Sequence, residues 1–489
     1  MPGVPDTSFQ PTAVLPSALS HQPVRRGRPG RRFHLSVRAK YFFVLFCSLA
    51  WVVTSMALSL PWLQDLADVI GFPLALFAIA SIAYLPGFMN AFLIGTILSD
   101  RRPPRRRLMA YRADVPLLPG QPPQPRLAVS SPPVSVLVAC YNEGENIRQT
   151  LTSLKNQDYP GEVEIIVIDD GSSDDSLLIA RAAAASLQRE RLQIRVLALP
   201  KNGGKAAALN HGLAHSTAHL VVTVDGDSRL FPNALRRLVE RFLGDPPNTV
   251  AVAGAVFVRN ADTNLLCGMQ KWDYFHGIAA VKRMQSMYHG TLVAQGAFSL
   301  YTRTVLEEVG GWPECVGEDI VVSWAILERG HRIGYCEDAC AFTNVPETIG
   351  QFARQRQRWS RGLVEAFQRH WRLLFHRRMT TLFIWWNLLF LPMDFAYTFI
   401  FIPGIVLALL GFHHVVGPMT LAVLPLGALW NLVIFRIQSR MFRRQGLRER
   451  HRWGQFLMFA AGYSLILQPV CMWGYTKEFL KMRKTWGTK

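Results

Sequence analysis

The residues best suited to chemistry in this chain are acidic, and they close apolar runs. Leu220 to Asp227 reads L-V-V-T-V-D-G-D, a β-branched stretch ending in two carboxylates one glycine apart. Such a run is expected to form a buried parallel strand, and positions i and i+2 of an extended chain face the same way. Asp225 and Asp227 would then offer paired oxygens to a hard cation, Mg²⁺ or Mn²⁺, whose remaining ligands would be phosphate oxygens. The same residues also read as a solvated turn, because Asp-Gly is a common turn dipeptide.

Two further apolar runs end in polar clusters. Val134 to Ala139 leads into Tyr141, Asn142 and Glu143, and Val163 to Ile168 leads into Asp169 and Asp170. Strand ends on one edge of a parallel sheet converge, so these groups are expected to share a crevice with Asp225 and Asp227. Adjacent aspartates point to opposite faces when extended, so one of Asp169 and Asp170 should meet a ligand while the other is structural. Lys205 follows Gly203-Gly204 at a predicted helix start, where backbone N–H groups and an ammonium can hold phosphate; an ordinary surface lysine is the alternative. Gly296 and Ala297 begin Q-G-A-F-S-L-Y-T-R, a predicted strand whose small residues would let a substrate approach the backbone. Glu318 and Asp319 fall at a helix N-terminus, either as reactive carboxylates or as caps. Gln355, Arg358 and Trp359, in Q-R-Q-R-W, combine an amide, a fixed cation and an aromatic that suit a diphosphate and a sugar face. A membrane-interfacial anchor is the competing reading of that helix.

The elements that must position these groups alternate. Strands at 134–139, 163–168, 194–199 and 220–225 are separated by helical stretches, the pattern of a doubly wound α/β fold with a mostly parallel, Rossmann-like sheet. Beyond Val258 the pattern breaks, and Asn264 to Arg283 is a long amphipathic stretch containing Trp272, Tyr274 and Phe275.

Half of the 489 residues are hydrophobic although the formal net charge is +19, which points to a membrane protein with basic cytoplasmic faces. The basic tail at 1–40 directly abuts apolar segments, and this disfavours nucleic acid as its partner. Tyr41 to Leu60 and Phe72 to Leu98 are each long enough to span a bilayer core of about 20 helical residues. The Arg-rich sequence from Arg101 then places the N-terminus and all that follows Asp100 in the cytoplasm, by the positive-inside rule. A Pro/Arg-rich linker (100–133) leads to the soluble domain (134–375), followed by an apolar region (381–475) and a basic tail (476–489). In the apolar region Leu382 to Phe412 is interrupted by Pro392, Asp394 and Pro403, and its first half suits the interface; Val415 to Phe435 and Phe456 to Tyr475 are further expected spans. Three late spans would place the basic tail outside, against the same rule, whereas a re-entrant Leu382 segment would place it inside. Asp394 is a candidate channel residue or a helix-end carboxylate. The seven scattered cysteines do not form a disulfide framework, and Cys336-x3-Cys340 lacks a second ligand pair for zinc.

The ordered series Y-N-E, D-D-G-S, G-K-A, D-G-D, G-E-D and Q-R-Q-R-W resembles that of membrane-embedded, processive family 2 glycosyltransferases, the group of cellulose, chitin, hyaluronan and poly-β-1,6-N-acetylglucosamine synthases. The match covers about Val134 to Phe375. It implies a GT-A fold set between transmembrane helices, a UDP-sugar donor, a divalent metal (Mg²⁺ or Mn²⁺) and inversion at the anomeric carbon. By resemblance Tyr141, Glu143 and Asp170 would bind uridine, Lys205 the diphosphate, and Asp225 with Asp227 the metal-bound nucleotide. Asp319 would be the general base, and Gln355, Arg358 and Trp359 would hold diphosphate and acceptor sugar. Gly317 departs from the threonine that many members carry.

The resemblance implies synthesis and export of a β-linked polysaccharide, most like the poly-N-acetylglucosamine type. Single-sugar transfer to a lipid acceptor is an alternative, and a nucleotide-sensing pseudoenzyme gating a channel is another. Membrane lipids and a small accessory membrane subunit are the further expected partners. Cyclic di-GMP control has no PilZ-like segment to carry it, and membrane topology alone accounts for the arginines of 436–452.

Overall fold

The computed structural model describes residues 35–100, 131–444 and 452–483. Most of the expected N-terminal tail and linker, part of the 436–452 loop and the end of the 476–489 tail lie outside them.

The central domain is organised by one eight-stranded mixed sheet. Its strands are β1 (Val134–Cys140), β2 (Val163–Asp169), β3 (Leu192–Ala198), β4 (Leu220–Asp225), β5 (Arg229–Leu230), β6 (Thr249–Val258), β7 (Phe298–Thr302) and β8 (Arg332–Thr343). They lie in the order β3-β2-β1-β4-β7-β6-β8-β5. The pairs β1–β2, β2–β3, β1–β4 and β6–β8 are parallel, whereas β7 runs antiparallel between β4 and β6, and β5 antiparallel to β8. The break in the parallel pattern expected beyond Val258 corresponds to β7.

The continuous apolar runs follow from helices covering both faces. Leu137, Ile166 and Val221 enter one core, while Val136, Val138, Ile165, Val167, Val222 and Val224 enter the other. The order reverses on either side of β1, so a crevice opens beyond the C-terminal ends of β1 and β4, where the loops diverge. Behind it, residues 265–287 form a continuous helical segment, and helices Glu318–Glu328 and Ile349–His370 close the opposite side.

Among the described residues, four helices are long and apolar enough to cross a membrane: Val37–Leu58, Phe72–Ser99, Thr381–Leu409 and Trp453–Phe479. The Val415 to Phe435 stretch lies largely in a further helix, Pro418–Arg444, whose apolar portion is Pro425–Ile437. Asp394 is buried against the last helix, where it accepts a hydrogen bond from the Tyr475 hydroxyl at 3.0 Å.

Candidate active site

The loops after β1 and β2 are bound to each other. Asn142 adopts a left-handed conformation (φ 53°), and its Oδ1 accepts from the Ser173 N–H at 2.9 Å. The N–H groups of Glu143 and Gly144 both donate to Ser176 Oγ, at 2.8 and 2.7 Å. Asp170 is buried, and its two carboxylate oxygens accept from the N–H groups of Gly203 and Gly204, each at 2.8 Å. It therefore fixes the glycine turn from which helix Lys205–His215 starts. Burial raises the pKa of Asp170, against the pull of those two N–H groups. Asp169 is equally buried; its Oδ2 accepts from the Ser172 N–H at 3.1 Å, and its Oδ1 has no hydrogen-bond partner among the described residues.

Lys205 forms the hub of the crevice. Its ammonium pairs with Asp225 Oδ1 and stands 3.7 Å from Glu318 Oε1. Burial disfavours the charged lysine, but Asp225, Glu318 and Asp319 outweigh it and hold the pKa above the ordinary value. The cation therefore persists at neutral pH. Glu318 is buried beside it; desolvation raises its pKa, the Lys205 charge opposes that, and the neighbouring Asp319 adds to it. The turn that carries Gly296 and Ala297 completes the arrangement. The Gly296 N–H donates to Asp319 Oδ2 at 3.4 Å, and the Asp225 N–H donates to Ala297 O at 3.3 Å. A β carbon on Gly296 would stand 2.5 Å from Lys205 Nζ, so a larger residue there would displace the ammonium from its place beside Asp225.

Asp227 turns toward β8, its Oδ1 accepting from Thr343 Oγ1 at 3.0 Å. Gly226 lies so close to the first loop that a β carbon there would be 3.0 Å from Glu143 Cγ. Asp225-Gly226-Asp227 is therefore a tight turn that places two carboxylates at a strand end, Asp225 toward Lys205 and Asp227 toward Thr343. Among the described residues no three His, Cys, Asp or Glu side chains converge as a metal cage. Asp225, paired with Lys205, and Asp227, across Gly226, are hard carboxylate donors of the kind that fit a divalent cation whose other ligands come from a diphosphate.

Helix Ile349–His370 forms the opposite wall. Among the described residues Gln355 Oε1 and Arg358 Nε are buried without hydrogen-bond partners, whereas Trp359 is 41% exposed. Farther along the helix the Glu365 carboxylate, itself buried, accepts the N–H groups of Val316 and Gly317 at 3.0 and 3.1 Å. The same helix that carries Gln355, Arg358 and Trp359 therefore holds the turn immediately before Glu318 and Asp319.

Several site residues carried no chemical signal in the sequence. Tyr274 appeared there only as part of an amphipathic stretch, yet it is buried 6.2 Å from the Trp359 ring; burial raises the pKa of its hydroxyl, the Arg356 charge opposes this, and Asp273, Asp227 and Asp225 add to it. Glu365 escaped notice because its partners are backbone groups of a distant turn, and no sequence spacing encodes such a contact.

Residues 135–310 match the glycosyl transferase family 2 profile. Over 237 residues the chain is 35% identical to the poly-beta-1,6-N-acetyl-D-glucosamine synthase of Staphylococcus epidermidis, covering 48% of this chain and 56% of that protein. The synthase of the same name from Staphylococcus aureus (strain COL) is 34% identical with the same coverage. The chain thus spans about half the length of the curated relatives it matches. Its fold is also that of a mannosyltransferase from Pyrobaculum calidifontis, solved in complex with GDP-Man and Mn2+, with a TM-score of 0.52 and 20% identity over 83% of this chain and 99% of the other. With its apolar helices and the crevice described above, this chain is a membrane protein whose central GT-A-like domain is similar, over residues 135–310, to glycosyl transferase family 2.

Proposed function

We propose that this protein transfers a sugar, with inversion, from a UDP-sugar to a growing β-linked polysaccharide and helps to export the product. The relatives are named for poly-beta-1,6-N-acetyl-D-glucosamine, and this supports UDP-N-acetylglucosamine as the donor. The observation that carries the reading is the convergence of Lys205, Asp225, Glu318, Asp319 and the Gly296 turn in one crevice beyond β4.

In this reading Tyr141, Glu143 and Asp170 shape the uridine pocket, and Asp169 Oδ1, without a partner among the described residues, lies in the same loop system. Asp225 and Asp227 would hold a Mg²⁺ or Mn²⁺ ion, whose chemistry there would be charge neutralisation of the diphosphate. Lys205 exchanges part of its contact with Asp225 and Glu318 for phosphate oxygens. Asp319 accepts the proton of the acceptor hydroxyl as that oxygen attacks the anomeric carbon and the bond to UDP breaks. A single displacement needs one base and no carboxylate nucleophile, and inversion follows. Gln355 and Arg358 steady the diphosphate side, and Trp359 offers its exposed ring to the acceptor sugar.

The N-terminus and the catalytic domain face the cytoplasm of a cell membrane, and the apolar helices beside the acceptor wall offer the product a way out. Membrane lipids surround these helices, and a small accessory subunit is a further partner to test. Single-sugar transfer to a lipid is the second reading, because the acceptor wall adjoins the membrane helices. Membranes incubated with individual radiolabelled UDP-sugars, followed by sizing of the product, separate the two: polymer from UDP-N-acetylglucosamine supports the first, and a singly glycosylated lipid supports the second.

A further inference from the structure

Behind Trp359 lies a buried ion pair that the reaction does not use. The Arg356 guanidinium sits over the Trp359 ring, 4.2 Å from its centroid, and its Nη2 pairs with Asp273 Oδ2 at 2.6 Å. Both side chains are largely removed from solvent, at 6% and 15% exposure. The Tyr463 hydroxyl, from helix Trp453–Phe479, donates to the same Asp273 oxygen at 3.1 Å. On its other flank Arg356 covers the Phe352 ring at 5.3 Å, and Phe352 packs edge-on against Tyr463. Three helices therefore converge on one guanidinium, which covers part of an indole whose remainder is open.

Burying an ion pair costs desolvation of both partners, and an apolar cluster of the same volume would join the helices as well or better. What an apolar cluster cannot provide is a planar cation laid against an aromatic ring, where stacking and the ring quadrupole together fix the ring's tilt. Tyr274, next to Asp273 in sequence, flanks the same ring at 6.2 Å and an interplanar angle of 49°. Trp359 is thus restrained by the guanidinium and along one edge, while it remains accessible.

We propose that Arg356, held by Asp273 and Tyr463, is a positioning residue that fixes the Trp359 ring as a platform for the acceptor sugar. It acts through Trp359 and touches neither donor nor metal. A platform held in one orientation loses less rotamer freedom when a sugar stacks on it, so the device acts on acceptor binding and registration. Because Tyr463 belongs to an apolar helix beside the domain, the platform is also tied mechanically to the membrane part of the chain.

The assignment rests on the proposed transfer reaction, and the test separates the two. The full-length protein in detergent is assayed with radiolabelled UDP-N-acetylglucosamine and an added N-acetylglucosamine oligosaccharide, with donor and acceptor varied independently. Arg356→Met is expected to raise the acceptor KM about tenfold, the size of a desolvated cation–π contact, and to leave the donor KM unchanged. Arg356→Lys, which keeps a cation over the ring, should recover part of that loss. Tyr463→Phe removes one hydrogen bond without leaving a cavity, and should shift the same parameter in the same direction by less. An equal rise in both KM values, or a Lys variant no better than Met, reduces Arg356 to a structural bolt and overturns the proposal. Absence of sugar transfer by the unmodified protein overturns the transfer reading and, with it, the platform.

Discussion

Gly317 and Gly362 touch backbone to backbone. A β carbon on Gly317 would stand 2.4 Å from Gly362 Cα, and one on Gly362 would stand 2.7 Å from Gly317 Cα. This explains why Gly317 replaces the threonine that the family resemblance suggests: the turn before Glu318 is pressed onto the acceptor-side helix, and Glu365 holds it there through two N–H groups.

Substituting either glycine by alanine should therefore separate the base from the acceptor wall. For Gly362→Ala we expect transfer to fall tenfold or more, consistent with overpacking that costs about 1–3 kcal/mol, while UDP binding measured by calorimetry stays intact. Wild-type turnover in that variant would show that the contact does not position Asp319.

The carboxylates should separate by function. Asp319→Asn removes the base but no nucleotide contact, so transfer should be lost while UDP binding persists. Asp225→Asn and Asp227→Asn should instead weaken metal-dependent UDP binding, and chelation of divalent ions should reproduce this loss in the unmodified protein. Near-normal turnover of Asp319→Asn would refute its role, and UDP binding that is indifferent to chelator would count against Asp225 and Asp227 as the metal pair.

Much of this site could be read from the chain because a parallel sheet converts sequence order into spatial convergence. Once Val134 to Ala139, Val163 to Ile168 and Leu220 to Asp225 are read as buried strands, Glu143, Asp170 and Asp225 are expected to meet at one edge. Lys205 followed from the glycine pair before its helix. The antiparallel insertion of β7 between β4 and β6 was not legible, because an apolar five-residue run has no direction of its own. Nor were the Asp170 contacts with Gly203 and Gly204 or the Glu365 clasp, since each joins a side chain to backbone N–H groups more than thirty residues away. Arg356 was hidden differently: it sits between two residues of recognisable chemistry, and only the folded helix shows that it points behind Trp359.

Lys282 gives a prediction in pH. Its ammonium is buried and donates to Val293 O, in the strap that leads to Gly296. Burial pulls its pKa down to about 8, although the Asp319 charge acts the other way. The folded protein then holds this proton less tightly than the unfolded chain does, so the unfolded state binds more protons between about pH 8 and the ordinary lysine value of about 10.4. The contribution of this group to stability is present above that window and is lost as pH falls through about 8. Denaturant unfolding in detergent should show the unmodified protein gaining up to about 3 kcal/mol across the window relative to Lys282→Met. Parallel pH dependences in the two proteins would mean that Lys282 titrates normally.

The last prediction concerns the side of the membrane on which the chain ends. The Trp62 indole, in helix Leu60–Ile70 between the first two spans, donates to His414 O at 2.8 Å. Ile400 and Val415 pack on the same cluster as Leu63 and Leu66. Helix Thr381–Leu409 therefore ends at the face farthest from the catalytic domain. Helix Pro418–Arg444 returns from there: Trp430 meets Trp51, and Phe435 reaches Trp272 and Phe275 of the domain. The rise from Pro418 to Phe435 is about 26 Å at 1.5 Å per residue, nearly a bilayer core. Helix Trp453–Phe479, although apolar enough to cross, touches the domain at both ends, through Arg452 to Asp262 at 3.2 Å and Glu478 to Arg361 at 2.9 Å. For a helix anchored in this way we predict a position along the interface beneath the domain, with four crossings among the described residues and the basic tail on the side of the catalytic domain, as the positive-inside rule favours. Green fluorescent protein fused after Lys489 should fluoresce, and alkaline phosphatase at the same position should be inactive; an active phosphatase fusion would require the last helix to cross.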